Sequence, residues 1–263
     1  MKKLLILNPF AGAAGDMILG ALIDCGIPLQ HVIGELEKIN FSGYKIAESM
    51  TTRKSLSARR IEITLKEPKN KVSVHSHKNH SYKSDHHTHE GFRTWKEVRE
   101  LLKDSRLPDS TKEKSLRAFE LLAEAEAKAH GVARADVHFH EVGATDSLVD
   151  MIGTCIAVDF LQPDKIISTP VAVGSGGFVD CSHGRMPVPT PATLNILSGK
   201  PIRPQPVEME LCTPTGAALL VGLAESFEDL PKDIRILKTG LGAGSREGAG
   251  DLPGVFRAIL AEY

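Results

Sequence analysis

The chain has 263 residues, of which 41% are hydrophobic and 25% charged, and its formal net charge is −1. This length provides for one large domain or two small ones with a substantial hydrophobic core. The balanced charge argues against nucleic acid as a partner, and no apolar run approaches the ~20 residues that a membrane span requires. Four scattered cysteines without a CxxC pair favour reduced thiols and a cytoplasmic protein.

The first third of the chain predicts an α/β fold. The apolar run at residues 4–7 predicts a strand, which leads through the glycine-rich turn NPFAGAAG into a helix from about Asp16 to Gly26. Residues 44–65 predict two further strands, since apolar and polar residues alternate in RRIEITL. Residues 66–93 are polar and lysine-rich and lack apolar periodicity, so we expect a flexible, disordered insertion there.

Two capping boxes predict the next helices. Thr94 and Glu97 would open the first helix, and Ser110 and Glu113 would open a longer one. The longer helix is expected to end at His130–Gly131, because glycine commonly follows the last helical residue.

The remaining third predicts further helices and one buried strand. Residues 146–161 are mostly apolar and helical in pattern, and IISTPVAVGSGG predicts a buried strand that ends in a glycine turn. TPATLNILSG and TPTGAALLVGLAE each place threonine at a helix N-cap and proline at the first helical position. GLGAGSREGAGDLPG predicts a flexible glycine loop, either a binding-site lid or a plain surface loop. We therefore expect an α/β protein with a mixed sheet and flanking helices.

The stretch VHFHEVGATDSLVD concentrates groups that bind metals or carry protons. In a strand, His138 and His140 would share a face and Glu141 would point away from it, whereas in a helix Asp146 and Asp150 would share a face. Imidazole and carboxylate sets with open positions suit divalent transition metals, which favours a metal or catalytic role. Two alternatives remain open: Asp146 only caps the following helix, or His138 is a buried core histidine.

Two segments could bind an anion. Gly12, Gly15 and Asp16 lie where a glycine turn meets a helix start, so backbone amides and the helix dipole could face a phosphate. Asp16 could instead be only a favourable partner of that dipole. Thr213 and Thr215 lie beside another helix start, where the alternative is plain capping.

The segment CSHGRMPVPTPAT offers a different set of groups. Cys181 and His183 have a spacing that could hold a soft metal, and Arg185 could bind an anion. The alternative is a loop whose shape is fixed by glycine and proline.

The insertion holds six of the eleven histidines of the chain. Loosely spaced imidazoles can gather nickel, copper or zinc but set no fixed geometry, which suits capture and hand-over better than chemistry. The alternative is a solvated polar loop. These candidate metal ligands are His75, His77, His80, His86, His87 and His89.

Five motifs together resemble the LarC family of nickel-insertion proteins, in order and from end to end of the chain. They are FAGAAGDMILGALIDCG, VHFHEVGATDSLVDMIG, HGRMPVPTPATLNILSGKPI, ELCTPTGAALL and GLGAGSRE. The resemblance implies insertion of Ni(II) into pyridinium-3,5-bisthiocarboxylic acid mononucleotide, with a nickel–carbon bond formed at ring carbon C4 as a proton leaves. His138, His140 and Glu141 are then the candidate proton acceptors, and the glycine turns and Arg185 would receive the phosphate.

The resemblance also implies cofactors and partners. The chain, residues 1–263, resembles the N-terminal part of the family, which normally continues into a domain associated with CTP and a divalent ion. We therefore expect this C-terminal domain, or a separate chain that carries it, as a partner, and a homo-oligomer is left open. Two other functions stay as alternatives: a non-catalytic nickel chaperone or store, and a metal-dependent hydrolase of a phosphorylated small molecule.

Overall fold

The structure, a computed structural model, describes residues 1–65, 93–139, 145–181 and 184–263. Its helices are α1 (Gly15–Asp24), α2 (Leu29–Leu36), α3 (Trp95–Asp104), α4 (Asp109–His130), α5 (Thr145–Leu161), α6 (Pro191–Ile196) and α7 (Pro214–Leu223). Its strands are β1 (Lys3–Asn8), β2 (Tyr44–Arg53), β3 (Leu56–Leu65), β4 (Arg93–Thr94), β5 (His138–Phe139), β6 (Lys165–Ser168), β7 (Val171–Gly174), β8 (Phe178–Cys181), β9 (Gly184–Pro187), β10 (Ile202–Gln205), β11 (Ser226–Phe227), β12 (Arg235–Ala249) and β13 (Leu252–Glu262).

A seven-stranded sheet, in the order β11-β6-β1-β13-β12-β3-β2, forms the framework. The pairs β1–β6, β6–β11 and β12–β3 are parallel, whereas β1–β13, β13–β12 and β2–β3 are antiparallel. Three small ribbons, β4–β5, β7–β10 and β8–β9, lie outside this sheet. The prediction of an α/β fold with a mixed sheet and flanking helices is therefore confirmed.

The core lies between the sheet and two layers of helices. Helix α1 packs on β12 and β3 and contacts α5 on its other side, while α4 packs on α5, α6 and α7. Leu7, Leu19 and Ile152 are fully buried along this path. Each such side chain contributes about 1.5–3 kcal/mol to folding. None of the helices described has the length and apolarity needed to cross a membrane.

The glycine-rich stretch near the end of the chain is part of a long hairpin, so the prediction of a flexible loop is wrong. It forms most of β12, which turns into β13. An added Cβ would lie 2.2 Å from the Ala21 carbonyl oxygen at Gly240 and 1.8 Å from that of Met17 at Gly242. These glycines are needed because helix α1 lies directly on the strand.

The first predicted capping box is confirmed. The Glu97 amide donates to the Thr94 hydroxyl (3.2 Å), and the Thr94 amide donates back to the Glu97 carboxylate (2.7 Å). Helix α3 therefore begins where the sequence predicts.

The second predicted box is wrong, although the helix that it predicts exists. Helix α4 has Pro108 at its N-cap, and the hydroxyls of Ser110 and Thr111 donate to the carboxylate of Asp159 on α5. A tertiary hydrogen bond to α5 replaces the local cap. The predicted end is confirmed, since Gly131 follows His130 with a φ of 65°.

Three further differences separate prediction and structure. The single strand expected in IISTPVAVGSGG is two strands, β6 and β7, which pair with different neighbours. Thr190 lies at the N-cap of α6, but its hydroxyl bonds to the hydroxyl of Thr193 (3.0 Å) rather than to a backbone amide. Helix α2 was not predicted, although its buried residues Leu29, Val32 and Leu36 have helical spacing. The predicted insertion lies outside the described residues, apart from Arg93 in β4.

Candidate functional site

The first glycine turn is joined to the segment before α7. The Ala13 amide donates to the Leu211 carbonyl (2.9 Å), and the Thr213 amide donates to the Ala13 carbonyl (2.9 Å). This short parallel bridge, Ala13–Cys212, connects parts of the chain about 200 residues apart. It places the N-terminal ends of α1 and α7 side by side.

Glycines permit this close approach. Gly12 has a φ of +108°, and a Cβ there would lie 2.0 Å from the Leu211 carbonyl oxygen. A Cβ at Gly15 would lie 2.8 Å from the Cβ of Asp150, so Gly15 lets α5 approach α1. Both predicted binding residues thus have a packing role, and their contact with a ligand stays a prediction.

Thr213 caps α7. Its hydroxyl accepts a hydrogen bond from the Gly216 amide (3.2 Å) and lies 2.8 Å from the hydroxyl of Thr215. The capping alternative therefore holds for Thr213. Both threonines also line a cavity in front of the helix, where the positive end of the helix dipole favours an anion.

Three aspartates come together beside α1. Asp16 at the start of α1 and Asp146 and Asp150 on α5 line one cavity of about 480 Å³, together with Arg60 of β3 and Ser245. Asp146 is exposed and accepts a hydrogen bond from the Ser147 amide (2.8 Å), as expected if it stabilises the helix start. The helical spacing predicted for Asp146 and Asp150 thus directs both to one cavity.

The two inner carboxyls are costly to ionise. Burial raises the pKa of Asp16, although the hydrogen bond from the Met17 amide and the charge of Arg60 oppose that rise. Burial raises the pKa of Asp150 well above its usual range, and the negative charges of Asp16 and Asp146 raise it further. A carboxyl pair in this situation favours a shared proton or a bound cation.

One oxygen of this pair has no partner among the described residues. Oδ1 of Asp150 is buried and receives no hydrogen bond within the part of the chain that the structure describes. A buried acceptor without a donor costs about 1–3 kcal/mol, so this oxygen requires a donor from the remaining residues, a proton on the carboxyl or a bound cation.

The described residues do not form a complete metal site. No group of three or more histidine, cysteine, aspartate and glutamate side chains among them is arranged to hold a metal ion. Asp16 and Asp150 supply oxygen donors, whereas His140 and Glu141, a few residues before Asp146, lie outside the described ranges. His183 and the six histidines of the insertion also lie outside them.

Two further cavities adjoin the acidic one. A small cavity of about 160 Å³ shares Asp16 and Ser245 with it and is also lined by Arg246. A larger cavity of about 640 Å³ shares Glu210 and Thr213 with the small one. We name these three adjoining cavities the cleft; they surround the starts of α1 and α7.

Two predicted residues lie apart from the described lining of the cleft. His138 is exposed on β5, where it pairs with Thr94 of β4. Arg185 is exposed on β9, with its guanidinium 4.5 Å from the centre of the Phe178 ring. Cys181, on the same ribbon as Arg185, does line the large cavity.

The structure also adds residues that the sequence analysis missed. Arg60 and Glu210 line the cleft, as do Glu126 and His130, whose side chains approach within 3.3 Å on the last turns of α4. The spacing of Glu126 and His130, four residues apart in a helix, was a usable signal. No sequence pattern indicated Arg60 or Glu210, because both reach the cleft through tertiary packing.

Comparison with known proteins gives a consistent result. Residues 5–263 match the family described as nickel insertion protein. The chain is 38% identical over 260 residues to the pyridinium-3,5-bisthiocarboxylic acid mononucleotide nickel insertion protein of Geobacillus kaustophilus. It is 42% identical over 261 residues to the protein of the same name from Clostridium kluyveri. Both alignments cover 99% of this chain but 60% and 62% of the relatives, so the chain spans about three fifths of their length. No solved structure gives a significant match.

Proposed function

This chain belongs to the nickel insertion protein family, and from that premise we propose that its cleft binds Ni(II) and takes part in inserting it into pyridinium-3,5-bisthiocarboxylic acid mononucleotide. The observation that carries the proposal is the Asp16–Asp150 pair, with its raised pKa values and the unpartnered oxygen of Asp150. In this scheme nickel is a substrate, and residues 1–263 act as the nickel-insertion domain.

A divalent cation would relieve the repulsion within the acidic pair. Asp16 and Asp150 would each supply a carboxylate oxygen, and Asp146 lies at the edge of the same cavity. Oxygen donors alone do not select nickel, so imidazole ligands are needed as well. We propose that His140 supplies one, with His138 and His183 as further candidates from the sequence.

The nucleotide would occupy the large cavity. Its phosphate fits the start of α7, where Thr213 and Thr215 offer hydroxyl groups and the helix dipole is positive. Arg185 extends from the same β8–β9 ribbon that lines the cavity through Val179, Cys181 and Met186, and we propose it as a second phosphate partner. The small cavity connects this position to the acidic pair.

For this reaction the protein has to position nickel and the nucleotide and to supply a base that accepts the proton. The two thiocarboxylates hold Ni(II), the nickel–carbon bond forms as C4 loses its proton, and nickel remains divalent. His138, His140 and Glu141 are the acceptors that the sequence offers for this proton, and of these only His138 lies in the described part of the chain.

The partners follow from the same premise. We propose that CTP and a divalent ion act through a further domain, which the longer relatives have room for beyond the matched region. We also propose a cytosolic protein that acts without nucleic acid or membrane, and self-association stays a prediction.

Nickel binding to the acidic pair tests the proposal. The experiment uses calorimetry on a variant without residues 71–90, so that the histidine-rich tract adds no background. Asp150→Asn and Asp16→Asn should each weaken the tight site at least tenfold, whereas Asp229→Asn, at a side chain that is 88% exposed, should not. Anomalous diffraction at the nickel edge should place the ion beside Asp16 and Asp150.

An ion found elsewhere, or equal affinity in all variants, would overturn the proposal. Tight binding without conversion of the apo-nucleotide, even with the CTP-associated domain supplied, would favour a nickel chaperone. Hydrolysis of phosphoesters without nickel would favour a hydrolase.

A further inference from the structure

A bulge in strand β12 carries two side chains to the cleft. Between two paired positions, four residues of β12 lie opposite Gly254 alone, and we name these four, residues 244–247, the bulge. An added Cβ at Gly254 would lie 2.2 Å from the Arg246 carbonyl oxygen, so only glycine fits opposite the bulge. Ser245 and Arg246 of the bulge line the small cavity together with Asp16. Bulges re-aim side chains in this way and are frequent beside functional sites.

Contacts with the turn between β2 and β3 hold the bulge in place. The Arg53 side chain is 8% exposed, and its guanidinium donates two hydrogen bonds to the Gly244 carbonyl, at 3.2 and 2.7 Å. At the other end of the bulge, the Glu247 carboxylate accepts a hydrogen bond from the Lys54 amide (2.9 Å). The fold itself therefore sets the shape of the bulge, as a residue that positions a ligand requires.

Arg246 is the basic group of the small cavity. Among the described residues that line this cavity, Asp16 and Glu210 are acidic and Arg246 alone is basic. The Arg246 side chain is exposed and forms no hydrogen bond or ion pair with any described residue. An anionic group that enters the cavity meets two carboxyl groups, so the unpaired guanidinium is the group positioned to receive it.

The order of the three cavities matches the order of the groups along the nucleotide. The small cavity shares Asp16 with the acidic cavity and Thr213 with the large one. In the nucleotide, ring carbon C4, which bonds to nickel, lies opposite the ring nitrogen that carries the ribose phosphate. Nickel beside Asp16 and a phosphate at the start of α7 therefore place the ring and its two thiocarboxylates in the small cavity.

We propose that Arg246 binds a thiocarboxylate of the nucleotide and thereby fixes the ring beside the nickel site. This inference rests on the proposed function and adds a substrate-binding residue to it. The thiocarboxylates hold nickel through sulfur, which leaves an oxygen of each to accept a hydrogen bond from the guanidinium. The same guanidinium offsets the repulsion between this anionic group and the carboxyl groups of Asp16 and Glu210.

Binding of the apo-nucleotide to the full chain without nickel, measured by calorimetry, tests the assignment. Arg246→Gln should weaken this binding by about 10–100-fold, because a hydrogen bond between charged groups is lost. Arg246→Lys should keep part of the affinity, since it retains the charge but loses the fork of donors. Nickel affinity should not fall in either variant. Arg117→Gln is the matched control, at an arginine exposed on α4 outside the described lining of the cleft, and should bind normally.

Two analogues identify the group that Arg246 binds. The pyridinium mononucleotide without thiocarboxylates should bind equally to the unaltered chain and to Arg246→Gln. The corresponding nucleoside, which has both thiocarboxylates and no phosphate, should still bind the variant about 10–100-fold more weakly. If the loss persists without the thiocarboxylates and vanishes without the phosphate, Arg246 binds the phosphate and the assignment is wrong.

The remaining outcomes separate the two proposals. Equal binding of the apo-nucleotide to Arg246→Gln and to the unaltered chain overturns the assignment of Arg246, and so does a failure of the unaltered chain to bind it. The proposed nickel site stands in either case if Asp16→Asn still weakens nickel binding. If Arg246→Gln weakens nucleotide binding while Asp16→Asn leaves nickel affinity unchanged, the nickel site fails and Arg246 remains a nucleotide-binding residue. If the unaltered chain binds neither nickel nor the apo-nucleotide, both proposals fail.

Discussion

The Asp150 side chain is costly to the stability of the fold and is also the residue on which the proposed nickel site depends. Its neighbours Asp16 and Asp146 are acidic, and its Oδ1 is buried and receives no hydrogen bond from any described residue. A structural carboxyl would have a donor or a cation beside it. We propose that a bound cation supplies this partner.

Removal of this charge should stabilise the metal-free protein. Because the pKa of Asp150 is raised in the folded state, its favourable contribution is present at low pH and is lost as the pH rises through that folded-state pKa. We expect Asp150→Asn to raise the free energy of unfolding by about 1–3 kcal/mol at pH 8 and by less at pH 5. Urea denaturation at both pH values measures this difference.

The control for this prediction is Asp229→Asn, which removes an exposed charge and should leave stability within about 0.5 kcal/mol at both pH values. A gain for Asp150→Asn that is equal at pH 5 and pH 8 would show that ionisation is not its cause.

At the scale of elements, the contact between α1 and β12 fixes the geometry of the cleft. Gly240 and Gly242 allow the helix backbone to lie on the strand, and the start of the same helix carries Asp16. A shift of α1 away from the sheet would therefore move Asp16 relative to Asp150. The glycines in this stretch permit close packing of α1 on β12. The prediction of a loop was wrong because it counted the glycines without knowing that a helix lies against them.

A methyl group at Gly242 should disrupt this contact. Its Cβ would lie 1.8 Å from the Met17 carbonyl oxygen, so we expect Gly242→Ala to cost on the order of 3 kcal/mol of stability. Gly34→Ala is the matched control, because Gly34 is exposed in α2 with nothing within 4 Å of an added Cβ. That variant should gain about 0.4–1 kcal/mol. Thermal unfolding of both proteins decides the point, and equal melting temperatures would contradict it.

The two predicted capping boxes, of which only the first forms, offer a second comparison between similar sequences. Thr94→Ala removes a cap on α3 and should cost about 1 kcal/mol, measured by urea denaturation. Ser110→Ala removes only an exposed hydroxyl that bonds to Asp159, which retains Thr111 and Lys114 as donors, so the cost should be smaller. An equal or larger loss in Ser110→Ala would mean that the tertiary bond matters more than the cap.

At the scale of the whole molecule, nickel capture and nickel chemistry are expected to be separable. Deletion of residues 71–90 should lower the nickel stoichiometry and leave the tight site intact, because loosely spaced imidazoles set no fixed coordination geometry whereas the acidic pair lies in the ordered fold. Equilibrium dialysis against nickel measures both the stoichiometry and the affinity of the tight site. Loss of all binding would show that the histidine tract is the real site, and the acidic pair would then need another explanation.

How much of this molecule the sequence predicts depends on the range of the interactions involved. Local patterns gave α3, the end of α4 and the Thr213 cap, since each depends on residues within a few positions. The pairing of β1 with β13 and the placement of Arg60 beside Asp16 depend on packing between distant segments, for which no local pattern exists. The sequence could thus name Asp16 and Asp150 separately but could not show that they meet.

The position of β13 has a consequence for synthesis on the ribosome. This strand lies between β1 and β12, so Lys3 pairs with Glu262 in the finished sheet. At roughly 5–20 residues per second, the first strand waits about 12–50 s for its neighbour to be translated. During that interval its apolar edge is exposed to chaperones and to other nascent chains.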